Sequence, residues 1–175
     1  MAEQAERSYE VFVDLATGLY DRRTMWSRLA EEMARARRYH YPLSLMLLAF
    51  DTPDPNEAVG QLLRLARLLR RQTRTADVLV RYSEDTLAIL LPCTDEAGAL
   101  RLAERIRRVA QAEPTASAAS EEEPLLLRIG LMAASQDYSG DKLDLVEQVE
   151  WALREAKKKG SEDRTVVVPM PAQRA

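Results

Sequence analysis

The stretch VLVRYSEDTLAILL, residues 78–91 of this chain, decides which fold the sequence can adopt. Two apolar runs flank a short polar segment, which is the pattern of a β-hairpin with a tight turn. The turn contains the carboxylates Glu84 and Asp85, and a loop that holds acidic side chains close together can bind a divalent cation. However, the turn has no glycine and places Thr86 beside Asp85. A working metal site, a lost metal site and a plain hairpin are therefore all open.

The segments on either side of the hairpin alternate between helical and strand-like patterns. Apolar residues with helical spacing cover the ranges 24–39, 61–74, 95–111 and 142–160. Mostly apolar runs that suit buried strands cover 42–50, 125–134 and 164–169. Helices and strands that alternate in this way predict an α/β sandwich with helices on both faces of the sheet.

The composition is that of a globular protein and argues against several functional classes. Hydrophobic residues make up 46% of the chain and charged residues 30%, and no apolar run approaches the roughly 20 residues that span a bilayer. The N-terminus is polar and acidic, unlike a secretory signal. The net charge of -3 argues against general nucleic-acid binding. We therefore expect a cytoplasmic protein with neither a membrane nor a nucleic-acid partner.

Several conspicuous side chains are predicted to be structural. Cys93 is the only cysteine, so it forms no internal disulfide, and we expect it to be a small buried thiol. Trp26 and Trp151 are predicted to pack into the core from their helices. His40, the only histidine, is predicted to lie in a surface turn. The sequence therefore offers too few thiols for a structural zinc site.

Four segments, one of which contains the hairpin, stand in the order found in a known family. They are DLATGLYDRR (14–23), PLSLMLLAFD (42–51), RTADVLVRYSEDTLAILLPCTDEAGALRLAERIR (74–107) and EWALREAKKKG (150–160). Together they resemble the GGDEF domain, the catalytic domain of diguanylate cyclases. The resemblance implies a nucleotidyl-cyclase-like fold with a ferredoxin-like core, in which a central mixed sheet of about five strands has helices on both faces. It also implies a GGDEF domain over 14–169, between a lead-in of 1–13 and a tail of 170–175.

At the hairpin the resemblance implies a lost active site. Ser83-Glu84-Asp85-Thr86-Leu87 stands where the family has Gly-Gly-Asp/Glu-Glu-Phe. In the family the glycines let the nucleotide approach the backbone, and the acids hold two metal ions that help to activate the attacking 3′-hydroxyl. Here the glycines are replaced by Ser83 and Glu84, and the second acid by Thr86. Of the signature acids only Asp85 persists.

Other positions of the expected active site have changed as well. Ala49 replaces a metal-binding aspartate near the end of the first strand, although the second acid of that pair persists as Asp51. Val59 replaces the aspartate that reads guanine and Ser161 replaces an arginine, whereas Lys157 keeps a lysine that contacts phosphate. Several contributions to catalysis are thus lost together. We therefore expect no enzymatic activity, no cofactor and no bound Mg²⁺.

A second site of the family is retained in the same alignment. Many cyclases bind their product, cyclic di-GMP, at an inhibitory Arg-x-x-Asp motif, and Arg74 and Asp77 stand in its register. The family's partner arginine corresponds to Arg105, and a further arginine, which a neighbouring subunit can supply, corresponds to Arg35. Guanidinium groups fork onto phosphates or the guanine Hoogsteen edge, and a carboxylate accepts hydrogen bonds from guanine N1 and N2. These four residues are therefore predicted to bind cyclic di-GMP.

An interpretation without a ligand stays open for the same residues. The chain is rich in arginine, so an Arg-x-x-Asp match can arise by chance. Asp77 can simply cap a helix end or a strand, as aspartate often does in turns. Exposed arginines usually form a solvated face of low energetic value.

Three functions are compatible with the sequence. The first is a catalytically inactive GGDEF-like domain that binds cyclic di-GMP and passes the signal to a protein partner. The second is a protein-interaction or homodimerisation module that needs no nucleotide. The third is a residual diguanylate cyclase that uses GTP.

Overall fold

A computed structural model gives the fold and describes residues 12–50, 55–112, 125–135, 137–158 and 164–169. Its helices are α1 (Arg22–Tyr39), α2 (Pro55–Gln72), α3 (Glu96–Ala112) and α4 (Lys142–Lys157). Its strands are β1 (Leu43–Phe50), β2 (Val78–Arg81), β3 (Thr86–Pro92), β4 (Leu127–Ala134) and β5 (Arg164–Val168). The predicted stop of the last helix at Gly160 lies outside the described residues.

The strands form a mixed sheet in the order β2-β3-β1-β4-β5. The pairs β2–β3, β3–β1 and β1–β4 are antiparallel, and β4–β5 is parallel. The hairpin that the sequence predicts is the pair β2–β3 at one edge. The predicted mixed sheet of five strands is confirmed.

The two faces of the sheet carry separate cores, each covered by two helices. On one face α2 and α3 pack over alternate residues of β1, including Met46 and Leu48. On the other face α1 and α4 pack over Leu45 and Leu47. Because successive side chains of a strand point to opposite faces, all eight residues of β1 are buried. The expectation of helices on both faces is confirmed.

Helix α4 lies very close to β4 at Gly130. A Cβ atom at this position would lie 2.5 Å from the backbone nitrogen of Leu153 and 2.6 Å from the backbone oxygen of Val149. Both atoms belong to the helix backbone, which cannot move away as a flexible side chain can. The absence of a side chain at Gly130 therefore sets the distance between α4 and the sheet.

Two of the side-chain predictions are wrong. Cys93 is exposed rather than buried, because it lies in the turn after β3 with a φ of 52°. Trp151 is 48% exposed rather than in the core, since the inward face of α4 is taken by residues such as Val149 and Leu153. Trp26 packs partly buried against the core, and His40 is exposed at the C-cap of α1, as predicted.

No helix among the described residues is long and apolar enough to cross a membrane.

Candidate functional site

The hairpin turn brings two of the altered active-site positions together. Tyr82 and Ser83 donate their backbone N–H groups to the carbonyl oxygen of Thr86, at 2.9 and 3.0 Å, which closes a turn of residues 83–85. Across the sheet, Thr86 pairs directly with Ala49. Both side chains are buried, and neither has a carboxylate to offer a metal ion. Asp51, the acid predicted to persist beside Ala49, lies outside the described residues.

Asp85 forms its bonds within the protein. Lys157 donates to its Oδ2 at 2.8 Å, and the hydroxyls of Ser83 and Thr86 donate to its Oδ1 at 2.9 and 2.8 Å. Burial acts to raise the pKa of Asp85, but the hydrogen bonds from Lys157, Thr86 and Ser83 outweigh it and lower the pKa. The carboxylate is therefore ionised at neutral pH and balanced by an ammonium group.

The remaining acid of the turn does not complete a metal site. Glu84 is exposed at the tip of the hairpin, beside Asp85. No group of three or more His, Cys, Asp or Glu side chains among the described residues is arranged to hold a metal ion. Lys157, which the resemblance assigns to phosphate, lies instead against Asp85.

The Arg-x-x-Asp segment forms a tight turn between α2 and β2. The backbone N–H of Arg74 donates to Asp77 Oδ2 at 2.7 Å, and the backbone N–H of Asp77 donates to the Arg74 carbonyl at 3.1 Å. Burial raises the pKa of Asp77, against the opposing effects of the Arg74 hydrogen bond and the charges of Arg74 and Arg105. Asp77 thus caps the turn, as the interpretation without a ligand predicted. Its carboxylate also interacts electrostatically with the guanidinium groups of Arg74 and Arg105.

Arg105 reaches this turn from α3. Its Nη2 donates to the backbone carbonyl of Gln72 at 2.7 Å, and Gln72 is the last residue of α2. The bond fixes α3 beside the end of α2 and holds the guanidinium next to the turn. Arg74, Asp77 and Arg105 then line one cavity of about 270 Å³. Three of the four predicted ligand-binding residues are thus brought together by the fold.

The fourth predicted residue, Arg35, does not join them within the chain. It lies on α1, on the opposite face of the sheet, and its Nη1 contacts Glu32 Oε1 at 2.6 Å. Glu32 is buried and also accepts a hydrogen bond from the Tyr41 hydroxyl at 3.1 Å. Arg35 is therefore engaged in a local ion pair and does not line the cavity.

The cavity has wall residues that the sequence did not assign to the site. Arg101, Asp95 and Cys93 line it together with the predicted residues. Asp95 Oδ1 accepts the backbone N–H of Gly98 at 2.8 Å and caps α3, whereas no described residue bonds to the Arg101 side chain. Arg101 precedes Arg105 by one helical turn on α3, and this spacing was the available signal. No sequence pattern indicated that Cys93 would line the cavity, because a cysteine alone does not show that it lies in an exposed turn.

The comparisons with known proteins agree on one family. A sequence profile described as "Diguanylate cyclase, GGDEF domain" matches residues 11–163. Diguanylate cyclase DosC of Escherichia coli K12 is 30% identical over 159 residues, which cover 87% of this chain and 34% of DosC. The chain thus spans about a third of the length of this curated relative.

Solved structures share the fold at lower identity. Diguanylate cyclase SiaD of Pseudomonas aeruginosa, in complex with its activator SiaC, has a TM-score of 0.79 and 24% identity over 89% of this chain and 61% of SiaD. The GGDEF domain of DgcB from Caulobacter crescentus, in complex with c-di-GMP, has a TM-score of 0.79 and 17% identity over 90% of this chain and 96% of that domain. At these identities the likeness concerns the fold alone.

Proposed function

This chain belongs to the GGDEF domain family of diguanylate cyclases, and we propose that it is a catalytically inactive member that binds cyclic di-GMP. The observation that carries the proposal is the cavity of about 270 Å³ on which Arg74, Asp77 and Arg105 converge. Arg105 is 28 residues beyond Asp77 in the chain (105 − 77), so a chance Arg-x-x-Asp match would not by itself place its guanidinium there.

The chemistry of the cavity suits a guanine nucleotide. Arg74 and Arg101 have no hydrogen-bond partner for their guanidinium groups among the described residues, so both are available to fork onto a phosphate or the Hoogsteen edge of guanine. Arg105 adds a third positive charge that the α2 carbonyl holds in place. Asp77 offers a carboxylate oxygen to guanine N1 and N2.

The lost catalytic machinery supports a binding role rather than turnover. Two-metal phosphoryl transfer needs carboxylates that hold both cations. Ala49 and Thr86 occupy paired positions without a carboxylate, and Asp85 is balanced by Lys157. A metal at Asp85 would have to displace an ammonium group and two hydroxyl donors.

The direct test is isothermal titration of the protein with cyclic di-GMP, beside GTP with Mg²⁺. We expect saturable binding of cyclic di-GMP alone. Arg74→Ala should weaken it at least about tenfold, the effect of losing a charge-assisted hydrogen bond in a binding site. Arg108→Ala is the matched control, because Arg108 is exposed on α3 but does not line the cavity, and it should bind as the wild type does.

A second readout comes from the only cysteine of the chain. Cys93 is exposed and lines the cavity, so bound cyclic di-GMP should slow its reaction with a thiol reagent. The protection should disappear in Arg74→Ala and persist in Arg108→Ala. Binding without protection of Cys93 would place the ligand elsewhere and contradict the proposed site.

A nucleotide-independent interaction module is the second candidate. Its support is the outer face of α4, where Leu143 is 54% exposed and Trp151 48% exposed, two turns apart on the helix. Tryptophan in particular is enriched at protein interfaces. No heat with either nucleotide, together with a defined oligomer in solution, would favour this function over the receptor. A receptor for cyclic di-GMP can use the same face to pass its signal to a protein partner.

Residual cyclase activity is the third possibility, and the same protein tests it. It requires Mg²⁺-dependent turnover of GTP that Asp85→Ala abolishes. We expect no turnover of GTP in the wild type or in Asp85→Ala.

A further inference from the structure

The Arg74–Asp77 turn separates two concave surfaces. On one side is the cavity of about 270 Å³ described above. On the other side is an open groove of about 540 Å³, and both Arg74 and Asp77 line it as well. The turn is therefore a shared wall of the two concave surfaces.

The smaller cavity cannot contain the whole of the proposed ligand. Pockets for drug-sized molecules enclose roughly 300–1,000 Å³, and the cavity lies just below that range. Cyclic di-GMP consists of two identical halves, each with a guanine, a ribose and a phosphate, and it is larger than a typical drug. A ligand of this size that occupies the cavity must therefore extend beyond it.

We propose that cyclic di-GMP straddles the turn and that the groove is a second binding lobe, which takes the other nucleotide half. This inference rests on the proposed function. The groove lies directly across the shared wall and, like the first lobe, is lined by an arginine outside the turn. Arg70 supplies guanidinium donors to it.

Arg70 is held ready for a phosphate. Its Nη2 donates to the carbonyl oxygens of Thr17 and Gly18 at 3.1 and 2.8 Å. An arginine has five N–H donors, so those on Nε and Nη1 remain for a ligand. Because the side chain is exposed and already fixed at one end, little rotational freedom is lost when it binds.

The opposite wall of the groove is also fixed. Tyr20 pairs with β2 through hydrogen bonds from its N–H to the Leu79 carbonyl, at 3.1 Å, and from the Arg81 N–H to its own carbonyl, at 2.8 Å. Arg81 in turn contacts Asp14 at 2.8 Å. Backbone hydrogen bonds thus hold this wall of the groove in place.

The test fills the groove and leaves the cavity intact. Thr75 lines the groove but not the cavity, and the neighbouring Ala76 lines neither. Both are exposed residues of the same turn, so Thr75→Trp and Ala76→Trp add the same side chain one position apart. By isothermal titration with cyclic di-GMP, Thr75→Trp should bind at least about tenfold more weakly than the wild type, and Ala76→Trp within about twofold of it.

The result separates this inference from the proposed function. If the wild type binds, Arg74→Ala does not, and Thr75→Trp binds as Ala76→Trp does, the receptor stands and the second lobe is wrong. If the wild type does not bind, the proposed function itself fails. Arg70→Gln serves as a second variant in case Thr75→Trp does not fold. It removes the guanidinium without filling the groove and should also weaken binding about tenfold, whereas unchanged affinity would overturn the second lobe.

Discussion

Asp85 illustrates how substitutions around one residue change its chemistry. In the family signature its neighbours are glycine and a second acid, which have no side-chain donor to offer a carboxylate. Here Ser83 and Thr86 donate to one oxygen and Lys157 donates to the other. A carboxylate has about four acceptor positions, and three of them are taken. The side chains at the signature positions, together with Lys157, thus satisfy most of the hydrogen-bonding capacity of Asp85 within the protein.

This network predicts a specific pH dependence for the free energy of unfolding. The pKa of Asp85 is lowered in the folded chain, so its interaction with Lys157 stabilises the fold above the unfolded pKa, about 3.9, and is lost as the pH falls through the folded pKa. Lys157→Met should destabilise the protein at pH 7 by less than about 1 kcal/mol, because both side chains are partly exposed. The difference from the wild type should vanish in acid, as measured by urea denaturation at several pH values.

The neighbouring lysine supplies the control for that experiment. Lys158 contacts Glu155 at 2.6 Å and does not touch Asp85. In an NMR titration, Lys157→Met should raise the pKa of Asp85 and Lys158→Met should leave it unchanged. An unchanged Asp85 pKa in Lys157→Met would show that the ion pair does not form in solution.

At the scale of the elements, the contact between α4 and β4 is the most sensitive to a single methyl group. Gly130→Ala places a Cβ within 2.6 Å of two backbone atoms of α4, so the helix must move away from the sheet. Overpacking of a core costs typically 1–3 kcal/mol, and we expect a loss of at least about 2 kcal/mol because backbone rather than a flexible side chain must shift. Thermal or urea unfolding measures it.

Gly60 is the matched glycine for that substitution. It lies in α2, and a Cβ there would meet no atom within 4 Å. Gly60→Ala should therefore stabilise the protein by about 0.5–1 kcal/mol, through the higher helix propensity of alanine. If both variants were destabilised alike, the close approach of α4 to Gly130 would not be the cause.

The elements were predictable because apolar spacing is a local property of the sequence. In α2 the residues at helical spacing, Leu62, Leu65, Ala66 and Leu69, are all buried. Trp151 was predicted to lie on the apolar face of its helix, but it is 48% exposed, whereas Val149 and Leu153 are buried. Because a helix turns by about 100° per residue, Trp151 lies about 200° from each of them, on the outer face of α4.

The candidate site was predictable only as far as a resemblance could supply it. Arg74, Asp77 and Arg105 came from the alignment and do meet at one cavity. The groove beyond Arg74 depends on how the loop that carries Gly18 and Tyr20 packs against α2, and no local pattern encodes that contact. Non-local packing of this kind follows from the fold and not from the spacing of residues along one element.

At the scale of the whole molecule, the expected active-site position Ala49 and the arginine cavity lie on opposite faces of the sheet. Ala49 belongs to the core under α1 and α4, whereas Leu91 and Leu102 at the cavity belong to the core under α2 and α3. Substitutions on one face therefore need not disturb the other. A chain with this architecture can lose catalysis and keep a binding site.

Because the two positions lie on opposite faces of the sheet, cyclic di-GMP and GTP should affect the thermal stability of the protein differently. A ligand that binds only the folded state at one hundred times its Kd stabilises it by about 2.7 kcal/mol, which raises the Tm of a domain of this size by roughly 5–10 °C. We expect this shift with cyclic di-GMP and none with GTP and Mg²⁺, as measured by differential scanning calorimetry. The shift should be absent in Arg74→Ala and present in Arg108→Ala. A shift with GTP and Mg²⁺ that Asp85→Ala removes would instead place a functional nucleotide site at the hairpin and contradict the loss of catalysis.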